Sequence, residues 1–206
     1  RLRPLPPDLS RSTNQNGEED DMFADLPTIY LHTFGGGGIL AGFLHPLLGF
    51  NHLLAMVAVG IISAQIGGRA IWRVPAAFVG AMAVGSVLGI VGVALPFVEY
   101  AITGSVLLLG IAIIANKQLP EGLAIVLVAI FALFHGHAHG TSLPALSSTI
   151  GLMAAYVAGF LTSTAGLHVV GALLGLIAIR SDRGKLIMRL GGLAISAVGI
   201  ILIINL

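Results

Sequence analysis

The chain has 206 residues, of which 10 are Lys or Arg, 9 are Asp or Glu, and 56% are hydrophobic. A soluble domain carries about a quarter charged residues, so this chain has too little charge to cover a water-facing surface. The formal net charge of +1 hides an uneven split: residues 1–25 carry −3 and the remainder +4, and neither part holds the basic stripe of a nucleic-acid binder.

The apolar runs are continuous, which excludes a β-barrel, whose strands alternate apolar with polar residues. Most of the 28 glycines are scattered singly among Leu, Ile, Val and Ala, as glycine is used in transmembrane helices. The expected fold is an all-α polytopic membrane protein, a bundle of about six transmembrane helices with two short broken or re-entrant segments. No cysteine is present, which removes disulfides, thiolate metal sites and thiol nucleophiles together.

In chain order, residues 1–25 form a polar, acidic tail without apolar periodicity, expected to be disordered or to act as a docking arm for protein partners. The chain begins with Arg and shows no signal peptide, as a processed or trimmed product would. Residues 26–206 are expected to be a single transmembrane helical domain. Its first segment, 26–48, is apolar but broken by Gly35 to Gly38 and by His45-Pro46, and reads as a lead-in or re-entrant piece. A spanning helix needs about 20 mainly apolar residues, and the charges and prolines delimit spans at 49–66, 74–95, 99–115, 121–138, 157–179 and 187–205. Between the fourth and fifth, the stretch 139–156, with Gly140, Pro144 and a Ser147-Ser148-Thr149 start signal, reads as the second broken segment. Non-helical backbone survives at membrane depth only where protein or a wet cavity surrounds it, so both segments mark a possible site.

Arg69 and Arg73 follow the first span, Lys117 the third, and Arg180, Arg183, Lys185 and Arg189 the fifth. With six spans all of these fall on one side, which the positive-inside rule makes cytoplasmic or its organellar equivalent. The expected location is a bacterial inner membrane or an organellar, thylakoid-type membrane, with the lipid bilayer as the main partner and both termini on the non-cytoplasmic side. Arg69 and Arg73 read as topology anchors and Trp72 as an interfacial aromatic. Gly85-x-x-x-Gly89 and Gly171-x-x-x-Gly175 permit close helix packing, a pattern that arises readily by chance in so glycine-rich a chain.

From residue 122 to 179 no Asp, Glu, Lys or Arg occurs, yet four histidines do. Polar groups at membrane depth are costly and face the bundle interior or a pathway. His135 and His139 are four apart and share a helix face, the usual way to give a borderline divalent metal two nitrogen ligands. His137 points away from that pair unless the glycines unwind the helix end. His45 and His52, seven apart, can share a face, with Pro46 breaking the turn between them. His168 lies about 18 Å along a helix from Arg180, near mid-membrane, where it serves either as an interhelical hydrogen-bond donor or as a ligand. His32, in the lead-in, reads as incidental. Asn51 is either a helix cap or a ligand.

The string from His45-Pro46 through Gly49, Asn51-His52 and Ala55-Met56 to Val59-Gly60 resembles the HP-x-x-G-x-D-H-x-x-A-M-x-x-V-G signature of the HupE/UreJ family of nickel and cobalt permeases. Phe134 to Gly140, followed by Thr141-Ser142-Leu143-Pro144, is similar to its F-H-G-x-A-H-G-x-E-x-P motif. Gly159-Phe160, Leu167-His168 and Gly171 resemble a third, weaker box. The resemblance covers residues 38–206 and implies a six-helix bundle for metal uptake, with His45, His52, His135 and His139 at the matched positions. Asn51 stands where the signature has Asp, and Ser142 where the second motif has Glu.

Two functions follow. In the first, the chain transports or binds Ni²⁺ or another divalent transition metal through His45, His52, His135, His139 and His168, with Asn51, His137 and Ser142 secondary. No phosphate-binding loop is present, so energy would come from the ion gradient or membrane potential. In the second, the missing carboxylates signal lost transport, and the chain is an accessory subunit of a photosynthetic or respiratory supercomplex whose histidines ligate chlorophyll or haem. An enzyme ranks below both: no Gly-x-Ser-x-Gly elbow occurs, the seven histidines are too few for a di-iron histidine-box site, and Ser163 with His168 is an incidental pair.

Overall fold

The computed structural model describes residues 38–115, 119–146 and 149–206, the side chains of 144–146 excepted. The 1–25 tail with any partner docked on it, His32, Lys117 and Ser147-Ser148 lie outside the described residues. Among the described residues seven helices follow in order: α1 Ile39–Leu48, α2 Phe50–Ile66, α3 Ala70–Ile90, α4 Val98–Ala115, α5 Glu121–Leu146, α6 Ile150–Ala178 and α7 Asp182–Ile204. There is no strand among the described residues. Five helices are long and apolar enough to cross a membrane by themselves, and α1 with α2, bent by 82° at their junction, form a sixth apolar unit, a broken span or a re-entrant segment. The protein is therefore an integral membrane protein.

The break in the first crossing has a local cause. Pro46 lacks an N–H and ends helical bonding, but it is accommodated inside α1, and the chain turns three residues later at Gly49. Gly49 is extended (φ −78°, ψ 104°) and donates its N–H to the His45 carbonyl at 3.0 Å, while its own carbonyl accepts from Leu53 at 2.8 Å. At the far end of α2 the turn into α3 needs left-handed backbone, supplied by Gly67 (φ 79°) and Gly68 (φ 55°).

The second segment expected to be broken is not. Helix α5 runs on through 139–146 and α6 starts at Ile150, one residue after Thr149. The glycine that suggested a break is tolerated because α3 packs alongside it. Gly140 faces the Ser86 carbonyl of α3. The reading of 139–156 as re-entrant, and of the fifth span as starting near 157, is corrected accordingly.

Close backbone approaches give the helix directions. Gly85 faces Leu133, Gly89 faces His137, Gly136 faces Met82 and Gly140 faces Ser86, so α3 and α5 run parallel. Gly60 meets His168 and Gly171, and Gly175 meets Ala64, so α2 and α6 also run parallel. Gly110 meets Gly192 and Ser196, while Gly199 meets Leu107, so α4 and α7 are antiparallel. Both glycine pairs that the sequence left ambiguous lie at these contacts, together with Gly136 and Gly140, which form a further pair at the same spacing. Without a side chain at such positions two backbones close to within van der Waals distance, the main source of helix attraction where lipid is as apolar as leucine.

This directionality brings the C-terminal ends of α2 and α6 to the same end as the N-termini of α3, α5 and α7. That end holds Arg69, Arg73, Arg180, Arg183, Lys185 and Arg189, and there Arg73 pairs with Glu121 at 3.1 Å and lies 5.4 Å over the Trp72 ring. The outer surface is apolar: Val87 of α3, Leu174 of α6 and Ile187 of α7 are all more than half exposed. The interior carries Met56, Phe78, Met82, Phe160 and the histidines. Water as solvent would reverse that pattern; a bilayer explains it.

Candidate functional site

At the end of the bundle opposite the arginines, three elements bring histidines together. The bend at Gly49 folds α1 back so that His45 reaches His52 of α2, their ring centroids 5.8 Å apart. His139 of α5 lies 4.6 Å from His45 and 4.8 Å from His52, and His135, one turn along, lies 5.1 Å from His52. The four form one contiguous cluster, with His135 completely buried, His52 and His139 nearly so, and His45 half-buried. Phe160 stacks on His139 at 4.7 Å and 23°, and Tyr156 packs edge-on against His45 at 6.0 Å; both rings come from α6.

Hydrogen bonds settle which ring nitrogens hold protons. The backbone N–H of His52, which can only donate, bonds the Asn51 Oδ1 at 2.9 Å. The same oxygen lies 2.8 Å from His52 Nδ1, so Nδ1 carries the hydrogen and Nε2 presents a lone pair. In His135, Nδ1 lies 2.9 Å from the Phe131 carbonyl, an acceptor, so again Nε2 is left bare. The Nε2 atoms of His52, His135 and His139 are all buried without a hydrogen-bond partner. Buried polar atoms are almost always paired, and three bare imidazole nitrogens in one cluster form an environment that a cation would complete. They are not focused on one point: among the described residues no three His, Asp or Glu side chains already stand in metal-holding geometry.

The remaining expected residues fall as follows. Asn51 does not cap α2, whose N-cap is Gly49; it orients His52 instead, as outer-shell partners orient metal-binding imidazoles. His137, two residues from each member of the pair and thus on the opposite face, donates from Nε2 to the Val93 carbonyl at 2.6 Å and ties α5 to the α3–α4 connection. It is no part of the cluster, because the helix does not unwind around Gly136. Ser142 is exposed and bonds the Ala138 carbonyl at 3.1 Å, away from the imidazoles. His168 does not join the four either. The fully buried Phe78 of α3 stands between, 5.9 Å from His135 and 5.0 Å from His168. Both nitrogens of His168 lack a partner, and the residue lies at the floor of a half-open apolar groove on the outer surface between α3 and α6, lined also by the exposed Trp72, Val169 and Leu173, on the side toward the arginines.

Residues 27–202 match the family described as HupE / UreJ protein. The chain belongs to the HupE/UreJ family. It is 46% identical over 169 residues to Protein HupE of Rhizobium leguminosarum bv. viciae, an alignment covering 82% of this chain and 85% of that protein. No solved structure matches.

Within this HupE/UreJ chain the aromatic partners Phe78, Phe160 and Tyr156 escaped a reading based on histidine spacing. Phe78 carries no local signal, being one apolar residue among many on α3. Phe160 was visible as part of the third motif box, although its role as a stacking wall for His139 depends on α6 crossing α1 and α5. The small-residue pair Gly136 and Gly140 was hidden by alternation with the histidines. One set faces α3 and lets α5 approach; the other, one residue away on the helix, faces the cluster.

Proposed function

We propose that the chain moves a transition-metal cation across the membrane as cargo, passing it between imidazoles. The ion enters at the end opposite the arginines, is taken up by His45, His52, His135 and His139, and passes Phe78 to His168 on the way to the arginine-bearing end. Nickel is the ion implied by the family resemblance. The observation that carries this reading is the set of bare Nε2 atoms on His52, His135 and His139, two of them with the opposite nitrogen already committed as a donor. Neutral imidazole is a good ligand for nickel, copper, zinc and iron. The spread of the cluster suits transit: binding must be weak and divided among sites for an ion to leave.

The arginine-bearing end is cytoplasmic by the positive-inside rule, so a membrane potential negative inside drives the cation inward. That drive is worth about 2.3 kcal/mol per charge at 100 mV. The test is uptake of radiolabelled nickel by cells expressing the full chain. His52→Ala and His135→Ala should each reduce uptake to background; uptake that survives both substitutions sinks the proposal.

A further inference from the structure

We propose that Phe78 is the gate of the histidine pathway: its ring seals the four-histidine cluster from His168, and a cation crosses only when the ring moves aside. The inference rests on the pathway proposed above and assigns the residue that controls passage along it.

The need for a seal follows from what lies between the two groups of histidines. Toward the arginine-bearing end, α2 carries no polar side chain from Leu53 to Ile62, α3 none from Val74 to Gly85, and α5 none from Gly122 to Phe134. The first side-chain nitrogen beyond the cluster is on α6. There His168 follows Phe160 by eight residues, about 12 Å along the helix, whereas on α2 Gln65 stands about 20 Å from His52. The gap is therefore apolar on three of its walls, and a cation entering it alone meets the cost of an unpaired charge in a dry interior.

Phe78 fills that gap. It is fully buried, and its ring packs against a histidine on either side, the centroids 5.9 Å from His135 at 58° and 5.0 Å from His168 at 79°. Each of those histidines has buried ring nitrogen without a hydrogen-bond partner: Nε2 of His135, and both nitrogens of His168. One uncharged ring thus separates two sets of nitrogens able to hold a cation, and it leaves no room for water to join them. That is the arrangement of a hydrophobic constriction, which stops ions by excluding water rather than by charge. Phe78 makes no hydrogen bond that a rotation would break. The side facing His168 adjoins the apolar groove lined by Pro75, Val79 and Ala165, so the ring can leave the passage without entering water.

The experiment is Ni²⁺ uptake into proteoliposomes holding the full chain, with a potential negative inside, alongside Ni²⁺ titration by calorimetry and a measurement of Mg²⁺ entry. Phe78→Trp, which enlarges the plug, should lower the maximal uptake rate by at least about tenfold while Ni²⁺ affinity stays within about twofold of wild type, because ions still reach the cluster and cannot pass. Phe78→Ala, which removes the plug, should keep Ni²⁺ uptake at or above the wild-type rate and admit Mg²⁺ at least about tenfold faster than wild type does. Mg²⁺ sheds its water reluctantly and so reports a wet opening. Ile113→Ala opens a hole where the fully buried Ile113 of α4 packs on Gly192 of α7, and should admit no more Mg²⁺ than wild type. Gel filtration and a melting curve establish that each variant is folded, and either substitution of Phe78 decides the matter if the other does not fold. Three results overturn the gate and leave the pathway standing: Phe78→Trp with uptake unchanged or with rate and affinity lost together, Phe78→Ala as tight to Mg²⁺ as wild type, or Ile113→Ala as leaky as Phe78→Ala. Failure of wild type to show Ni²⁺ uptake that is lost on His135→Ala overturns the pathway and the gate together.

Discussion

Gly136 offers the sharpest test of how the site is held. Its Cα lies against the backbone of Met82 on α3. A methyl group added there would fall on the Met82 carbonyl oxygen and stand 2.7 Å and 2.9 Å from the carbonyl carbon and Cα of the same residue. Ordinary contact begins about 0.7 Å farther out, and the obstacle is backbone, which cannot swing aside as a side chain does. Helices α3 and α5 would have to part along their length. Overpacking of this kind costs about 1–3 kcal/mol, and about 1 kcal/mol is recovered from the better helix propensity of alanine. Gly136→Ala should therefore lose up to about 2 kcal/mol, which lowers the melting temperature by up to about 8 °C in a chain of this length. Because His135 and His139 are carried on the same helix, metal affinity should fall with it. Thermal unfolding in detergent and metal titration by calorimetry measure the two effects. The control is Gly104→Ala on α4, where an added Cβ meets nothing within 4 Å, and which should melt at or above wild type. If Gly136→Ala melts with wild type and binds metal equally well, the close α3–α5 contact does not position the histidines.

His137→Ala removes the bond to the Val93 carbonyl and opens space on the α3 side of α5, and should cost about 1–3 kcal/mol in thermal unfolding while leaving metal affinity within about twofold of wild type; a loss of affinity with unchanged stability would place His137 in the site after all. Asn51→Ala frees His52 Nδ1 and lets the ring turn and change tautomer, so metal affinity measured by calorimetry should fall by about tenfold with little change in melting temperature. Ser142→Ala alters an exposed hydroxyl bonded only to its own helix, and ion uptake should be unchanged; a clear drop would show that position 142 takes part in the pathway.

Much was legible from residue order alone. The near absence of charge demanded a bilayer, and the placement of Arg69, Arg73, Arg180, Arg183, Lys185 and Arg189 anticipated the single end at which the structure collects them. Periodicity and motif order also singled out His45, His52, His135 and His139 before any distance was known. These features are visible in a string because they depend on hydropathy and on helical spacing, which are local.

Other features came only from tertiary structure. Whether Gly140 breaks a helix depends on what surrounds it, and with α3 packed alongside the helix runs on through it to Leu146. The bend fell at Gly49 and not at Pro46, because a proline near a helix end costs few bonds whereas the 82° turn from α1 into α2 needs extended backbone. That bend is what sets His45 beside His139, residues almost a hundred positions apart. Spacing likewise could not separate His168 from the cluster, since the Phe78 ring between them arrives from a third helix. The scarcity of charge was a property of sequence; its consequence, a buried group of imidazoles with bare nitrogens, exists only because α5, distant in the chain, meets the consecutive helices α1 and α2 at one end of the bundle.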